Sequence, residues 1–210
     1  MDYYIKTREW EQIISILRTR KDIKTKNENK LRRFNEGIWY IVRSGCQWRL
    51  LPSIYGSWRA IHMRFKSWSD KGIWAELFTQ VQVDPDMEVT MIDAIIVRAH
   101  ACSAGYSRNN QDQEALGRSK GGFSTKIHAL VDALGNPLKF IVTPGQRHEI
   151  TQADSLVQDL KNTMLLADKG YDANGLVEQL AKQKSIAVVP PKKNTRHKRD
   201  YDRHVYKDTI

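Results

Sequence analysis

Near residues 83–88 the hydrophobic period of this chain changes, and a single layer of helices or of strands cannot accommodate both sides of that change. Before it, Trp10, Ile13, Ile14 and Leu17 recur at i, i+3, i+4 and i+7, one face of a helix, with Thr7 as the expected N-cap. Residues 19–30 are polar and charged and are expected to form a linker or mobile loop. A second helix sets Phe34, Ile38, Ile41 and Val42 on one face; residues 45–52 interrupt it; a third starts at Ser57, with Gly72 at its C′ position. After the change, EVTMIDAIIVR (88–98), STKIHALVD (124–132) and LKFIVT (138–143) read as strands, the last two separated by the hairpin residues Gly135, Asn136 and Pro137. Helices are expected at 151–161 and 173–184. Strands are expected at 164–167 and 186–189, the latter stopped by Pro190 and Pro191. The expectation is an α/β chain: a small helical domain, 1–83, then a domain with a mixed sheet, 84–210, in the order β-β-β-α-β-α-β.

Charge narrows the partner. Thirty-four Lys and Arg stand against 24 Asp and Glu, a net +10, with a pI near 9.6. Such a surplus attracts a polyanion and says little about fold. The basic residues are interleaved with aromatic ones and no amphipathic anchor is evident, so nucleic acid is the expected partner and a membrane is not. In the third helix Trp58, Ile61, Phe65 and Trp68 form an apolar stripe, read as packing, while Arg59, His62, Arg64 and Lys66 lie off it. Three short helices with a basic face suit a helix-turn-helix DNA reader; a merely solvated basic face is the other reading. Cys46 and Cys102 have no metal-ligand spacing and are expected as reduced thiols. With no signal peptide and no apolar run of the roughly 20 residues a bilayer needs, a soluble cytoplasmic location is expected, in association with the bacterial nucleoid.

Two aspartates carry the chemistry. Asp93 interrupts the apolar strand MIDAIIV, and Asp168 ends another in LLADKGYDA. A carboxylate in such a strand is costly to bury unless a cation or donor compensates it. A β-β-β-α-β order allows the first and fourth strands to lie side by side by a right-handed crossover, which would bring both acids to one sheet edge. Converging carboxylates suit a hard dication such as Mg²⁺. A pair of such ions activates a water or a 3′-hydroxyl and stabilises the leaving oxygen in phosphodiester chemistry. Asp172 reads as the N-cap of the following helix and Asp132 as a turn residue. Lys120, Lys126, His128, Arg147, His148 and Lys169 flank the acids in sequence and are candidates for DNA phosphate contact, with ordinary surface charge as the alternative.

The blocks MIDAIIVRAHACSAG, GRSKGGFSTKIHALVDALGNPL, TPGQRHEITQA and LLADKGYDA, in this order, resemble those of bacterial insertion-sequence transposases of the DDE type, the insertion sequence five group. SGCQWRLLPSIYGSWRAIHMRFKSWSDKGIWAELF resembles that group's helical DNA-binding region. The resemblance implies a ribonuclease-H-like catalytic domain with Asp93 and Asp168 as first and second catalytic acids. It also implies Mg²⁺ or Mn²⁺, binding to double-stranded DNA at element ends and target, and a homo-oligomer on DNA. It further implies a third acid, a Glu in a Tyr-x-x-Arg-x-x-x-Glu pattern. Tyr206 can begin that pattern, but Thr209 stands at the Arg position and no Glu follows Glu178. Glu149 stands where the group often has Asp, and is expected at a helix cap. By this reading the catalytic domain is incomplete at its C-terminus, a decayed copy or one completed by frameshifting. The alternative function is a catalytically inactive remnant that only binds DNA.

Overall fold

The computed structural model describes residues 4–82, 85–99, 115–119, 121–195 and 199–209; Lys120 and Cys102 lie outside them. The chain divides into two compact units, Met1–Val83 and Asp84–Ile210.

The first unit holds four helices: α1 (Thr7–Thr19), α2 (Glu28–Ser44), α3 (Trp58–Asp70) and α4 (Ile73–Val81). Trp10, Ile14 and Leu17 are buried on α1, as their spacing requires, but Thr7 is its first helical residue and Lys6 occupies the cap position without a side-chain bond. The 19–30 segment is not a free linker. Ile23 is buried in the core, Arg20 bridges Asp22 and Glu76, and Asn27 caps α2 by accepting from Lys30 N at 3.0 Å. Val42, assigned to the apolar face of α2, is exposed; Leu31, Phe34 and Ile38 form that face instead. Gly72 does follow α3 in left-handed conformation, at φ +67°. That turn starts a further helix rather than ending the unit, and α4 adds Ile73 and Leu77 to the core. The aromatic residues are packing: Phe34 meets Trp68 edge-on at 4.8 Å, and Trp74 lies 5.1 Å from Trp68 and 5.6 Å from Phe65.

The second unit is a mixed α/β sheet domain. Its strands are β1 (Val89–Arg98), β2 (Gly117–Ser119), β3 (Gly122–Asp132), β4 (Pro137–Pro144), β5 (Met164–Ala167) and β6 (Ile186–Val188). β4, β3 and β1 are antiparallel neighbours, and β5 and β6 continue the sheet parallel to β1. The short β2 shares with β4 the edge of β3. This is the ribonuclease-H-like arrangement: a three-stranded meander extended by α-β units. Helices α5 (Ile150–Val157) and α6 (Asn174–Lys182) supply Ala153, Leu156, Val157, Leu176 and Leu180 to a core shared with Ile92, Leu130, Leu165 and Ala167. A last helix, α7 (Arg203–Thr209), packs near β6.

Register separates the two faces of this sheet. On β3, Ser124, Lys126, His128, Leu130 and Asp132 are all buried at alternate positions. Their odd-numbered neighbours pair with Asp93, Ile95 and Val97 of β1 and with Phe140 and Val142 of β4, and Ile95, Val97, Phe140 and Val142 are exposed. Asp132 fastens the β3–β4 hairpin. It accepts from Leu134 N (3.0 Å), Asn136 N (2.8 Å), Asn136 Nδ2 (3.1 Å) and Asp86 N (3.3 Å).

Candidate active site

β1 has ten residues and β5 has four. Their parallel pairing runs from Val89 opposite Met164 to Ile92 opposite Ala167. The next residues of the two chains are Asp93 and Asp168, so the two acids stand at adjacent positions where the ladder ends. Because β5 stops at Ala167, β1 has lost its neighbour on that side from residue 93 onward, and both carboxylates are exposed. The expected burial of Asp93 is therefore corrected: no desolvation cost has to be offset there.

Each acid is oriented by one backbone amide. Asp93 Oδ1 accepts from Ala94 N at 2.7 Å, and Asp168 Oδ1 accepts from Gly170 N at 2.8 Å. The second oxygen of each has no hydrogen-bond partner among the described residues. Two hard oxygen donors, each steadied through one atom and open at the other, fit a divalent cation of the magnesium class. Among the described residues no three His, Cys, Asp or Glu side chains already enclose an ion position.

A third carboxylate approaches from the α5 side. Glu149 occupies the position before α5, but its side chain caps nothing. Its Oε1 accepts from the buried Lys126 Nζ at 3.2 Å. Its Oε2 would lie 3.0 Å from a Cβ built on Gly170, a point 2.8 Å from Asp168 Oδ1. Glycine at 170 is thus what lets the two carboxylates share that space. Beneath them Tyr171 is fully buried and its hydroxyl has no partner among the described residues. Burial pushes that hydroxyl's pKa far up, and the charges of Glu149, Asp93 and Asp168 push it further. Tyr206, half-buried on α7, is likewise raised, first by burial and then by the charge of Asp168.

The flanking basic residues divide. Arg147, His148 and Lys169 are exposed. Lys126 and His128, expected to meet DNA, lie on the covered face of β3 instead. Lys126 is tied to Glu149, while His128 is fully buried with Nε2 2.9 Å from Thr143 Oγ1. Burial lowers the His128 pKa, the Lys126 charge adds to that, and Glu149 opposes it. In the helical unit Arg59 and Lys66 are exposed. Arg64 is half-buried, its guanidinium 5.1 Å from the Phe34 ring centroid. Asp172 is not the N-cap of α6: Ala173 holds that position and the Asp172 side chain is bonded elsewhere.

Residues 84–210 match the family described as transposase DDE domain. Residues 5–78 match a second family, described as transposase of the IS4/5 family. An uncharacterized protein of Sinorhizobium fredii, y4sN, is 33% identical over 100 residues, 48% of this chain and 80% of that protein. A Brucella ovis protein described as a transposase for insertion sequence element IS6501 is 46% identical over 54 residues. That match takes in 25% of this chain, and this chain spans 42% of that protein. Among solved structures, a piggyBac transposase synaptic complex with hairpin DNA aligns at TM-score 0.45 and 13% identity, over 92% of this chain and 50% of that one.

Proposed function

The chain belongs to the transposase DDE domain family, and on that premise we propose that it cleaves and joins DNA strands at Asp93 and Asp168, at the ends of an insertion element. The observation that carries this reading is the meeting of the two acids at consecutive positions of parallel neighbours, each with one oxygen fixed by a backbone amide and one open. Domains of this family generally use divalent metal ions. The open oxygens of Asp93 and Asp168 would hold Mg²⁺ or Mn²⁺, which when bound supplies positive charge at the reacting phosphate. The chain's own residues do the rest. Ala94 N and Gly170 N hold the carboxylates in place, the Lys126–Glu149 pair borders the site, and exposed Arg147 and Lys169 neutralise the DNA backbone. The helical unit, through Arg59 and Lys66, is assigned the reading of element ends. A homo-oligomer on DNA, within the cytoplasm and nucleoid, completes the proposal.

The test is nicking of a duplex carrying the element's ends, with Mg²⁺ present and absent. Asp93→Ala or Asp168→Ala should abolish metal-dependent nicking and leave DNA affinity within about twofold, since one exposed carboxylate contributes little to binding a polyanion. Nicking retained in both variants overturns the assignment. A second reading, a protein that only binds DNA, is favoured by one observation: Glu149, the carboxylate that approaches Asp168, is already tied to Lys126. Binding without nicking by the unaltered chain would select it.

A further inference from the structure

Asp172 is the most heavily bonded carboxylate beside the acid pair. Its side chain is only 3% exposed. Oδ2 accepts from Lys192 N at 2.8 Å and from Thr195 Oγ1 at 3.0 Å, and Oδ1 takes the guanidinium of Arg199. Its carbonyl oxygen accepts from Lys192 Nζ at 3.2 Å, and Arg199 reaches on to Asn174 Oδ1 at 2.6 Å. Charge-assisted bonds to a buried carboxylate are the strong kind, and here every one leads to the residues that follow Pro190 and Pro191. Those prolines end β6 and cannot continue a ladder; Asp172 holds the chain that leaves it. The result is a wall. Lys192, Lys193 and Asn194 face Asp168, Lys169 and Gly170 across a cavity of about 460 Å³. Lys169 and Lys193 are exposed there, without an acidic partner among the described residues.

From this geometry we infer that the segment 192–194, fastened by Asp172, is a phosphodiester cradle: Lys169 and Lys193 each neutralise one of two neighbouring backbone phosphates of a nucleic-acid strand beside Asp168. The inference rests on the reading of Asp168 as an acid of the DNA-cutting site. Lysine serves as a point charge for phosphate, so its reach matters more than its orientation. Asp172 is a positioning residue. It touches no ligand, and it sets where Lys193 stands by holding the residue before it and Thr195 just after.

Binding of the full chain to a random-sequence DNA duplex, followed by fluorescence anisotropy across a KCl series, tests this. Removing one cation that neutralises phosphate should flatten the slope of log K against log[salt] by about 0.9. Lys169→Ala/Lys193→Ala should therefore lower the slope by roughly two, and Lys193→Arg should keep it. Asp172→Asn should flatten the slope by about one and speed tryptic cleavage after Lys192 and Lys193. If Asp172→Asn does not fold, Thr195→Val, which removes a single tie, should show the same two changes in weaker form. A steep slope in the unaltered chain, left unchanged by the lysine double variant and by the Asp172 or Thr195 variant, overturns the cradle while leaving the DNA reading intact. Salt-insensitive binding by the unaltered chain overturns the DNA reading and the cradle with it.

Discussion

Replacing Gly170 with alanine should separate the acid site from the fold that carries it. The new methyl would stand 2.8 Å from Asp168 Oδ1 and 3.0 Å from Glu149 Oε2, about half an ångström inside ordinary contact. Both atoms are side-chain ends, so the carboxylates retreat and the backbone has no need to. Gly170 is not among the positive-φ residues, and at such a position alanine gains about 0.4–1 kcal/mol by restricting the unfolded chain. That gain roughly offsets the crowding, and stability should stay within about 1 kcal/mol of the parent. The site has no such compensation. A misplacement of about 1 Å costs on the order of a hundredfold in rate, so half that distance costs roughly tenfold, about 1.4 kcal/mol of barrier. Single-turnover nicking in Mg²⁺ reads the rate, Mn²⁺ titration reads ion affinity, and urea unfolding reads stability. Parental nicking and Mn²⁺ affinity at parental stability would refute the claim that these carboxylates flank the reacting phosphate. A loss of more than about 2 kcal/mol in stability would refute it differently, by making Gly170 a residue of the fold.

Three further outcomes are expected. Burial holds the His128 imidazole neutral by lowering its pKa, so its contribution to stability is intact above the ordinary value of 6.5 and is lost as pH falls below it; urea midpoints should drop from pH 7 to pH 5, and His128→Gln should flatten that stretch. An unaltered profile in the variant would remove His128 as the cause. Asp132→Ala strips acceptors from four donors at the β3–β4 hairpin and should cost about 2–4 kcal/mol in urea unfolding; a cost below about 0.5 kcal/mol would mean water replaces all four. Asn27→Ala removes the cap of α2 and should lower the helical unit's stability by about 1 kcal/mol, measured by tryptophan fluorescence during unfolding; no change would show that the capping bond contributes nothing.

The strand framework of the second unit was legible because its cues are local. An apolar run interrupted by Asp93 and another ended by Asp168, a Gly-Asn-Pro hairpin and two proline stops each act within a few residues, and the β1–β5 pairing follows from their order. The helical unit was legible up to Gly72, whose left-handed turn reads equally as an end or a beginning; Trp74 and Leu77 beyond it were the cue for α4. What sequence reasoning missed depends on distant partners. Glu149 sits where a cap should be, and only Lys126, 23 residues away on β3, draws its carboxylate toward the acids. Asp172 likewise precedes a helix, yet its donors come 20 to 27 residues later. One signal for the first was available: Lys126, His128 and Asp132 alternate with Ile127, Ala129 and Val131, so one face of that strand is largely polar. When such a face is the covered one, each polar group needs a partner from another element. Arg64, read as part of a DNA-facing row, instead lies over Phe34, because the stem of a long side chain packs as readily as it dissolves.

The rung that sets Ile92 against Ala167 makes the gap between the two acids a matter of backbone spacing, about 4.8 Å from one strand to the next. The connections between these strands can lengthen or shorten without altering that gap, provided the rung is kept. A slip of one residue in β5 would bring Ala167 or Lys169 opposite Asp93, turning an attraction for cations into indifference or repulsion. Evolutionary or engineered change should therefore be freest in the connections and most restricted in the four residues of β5.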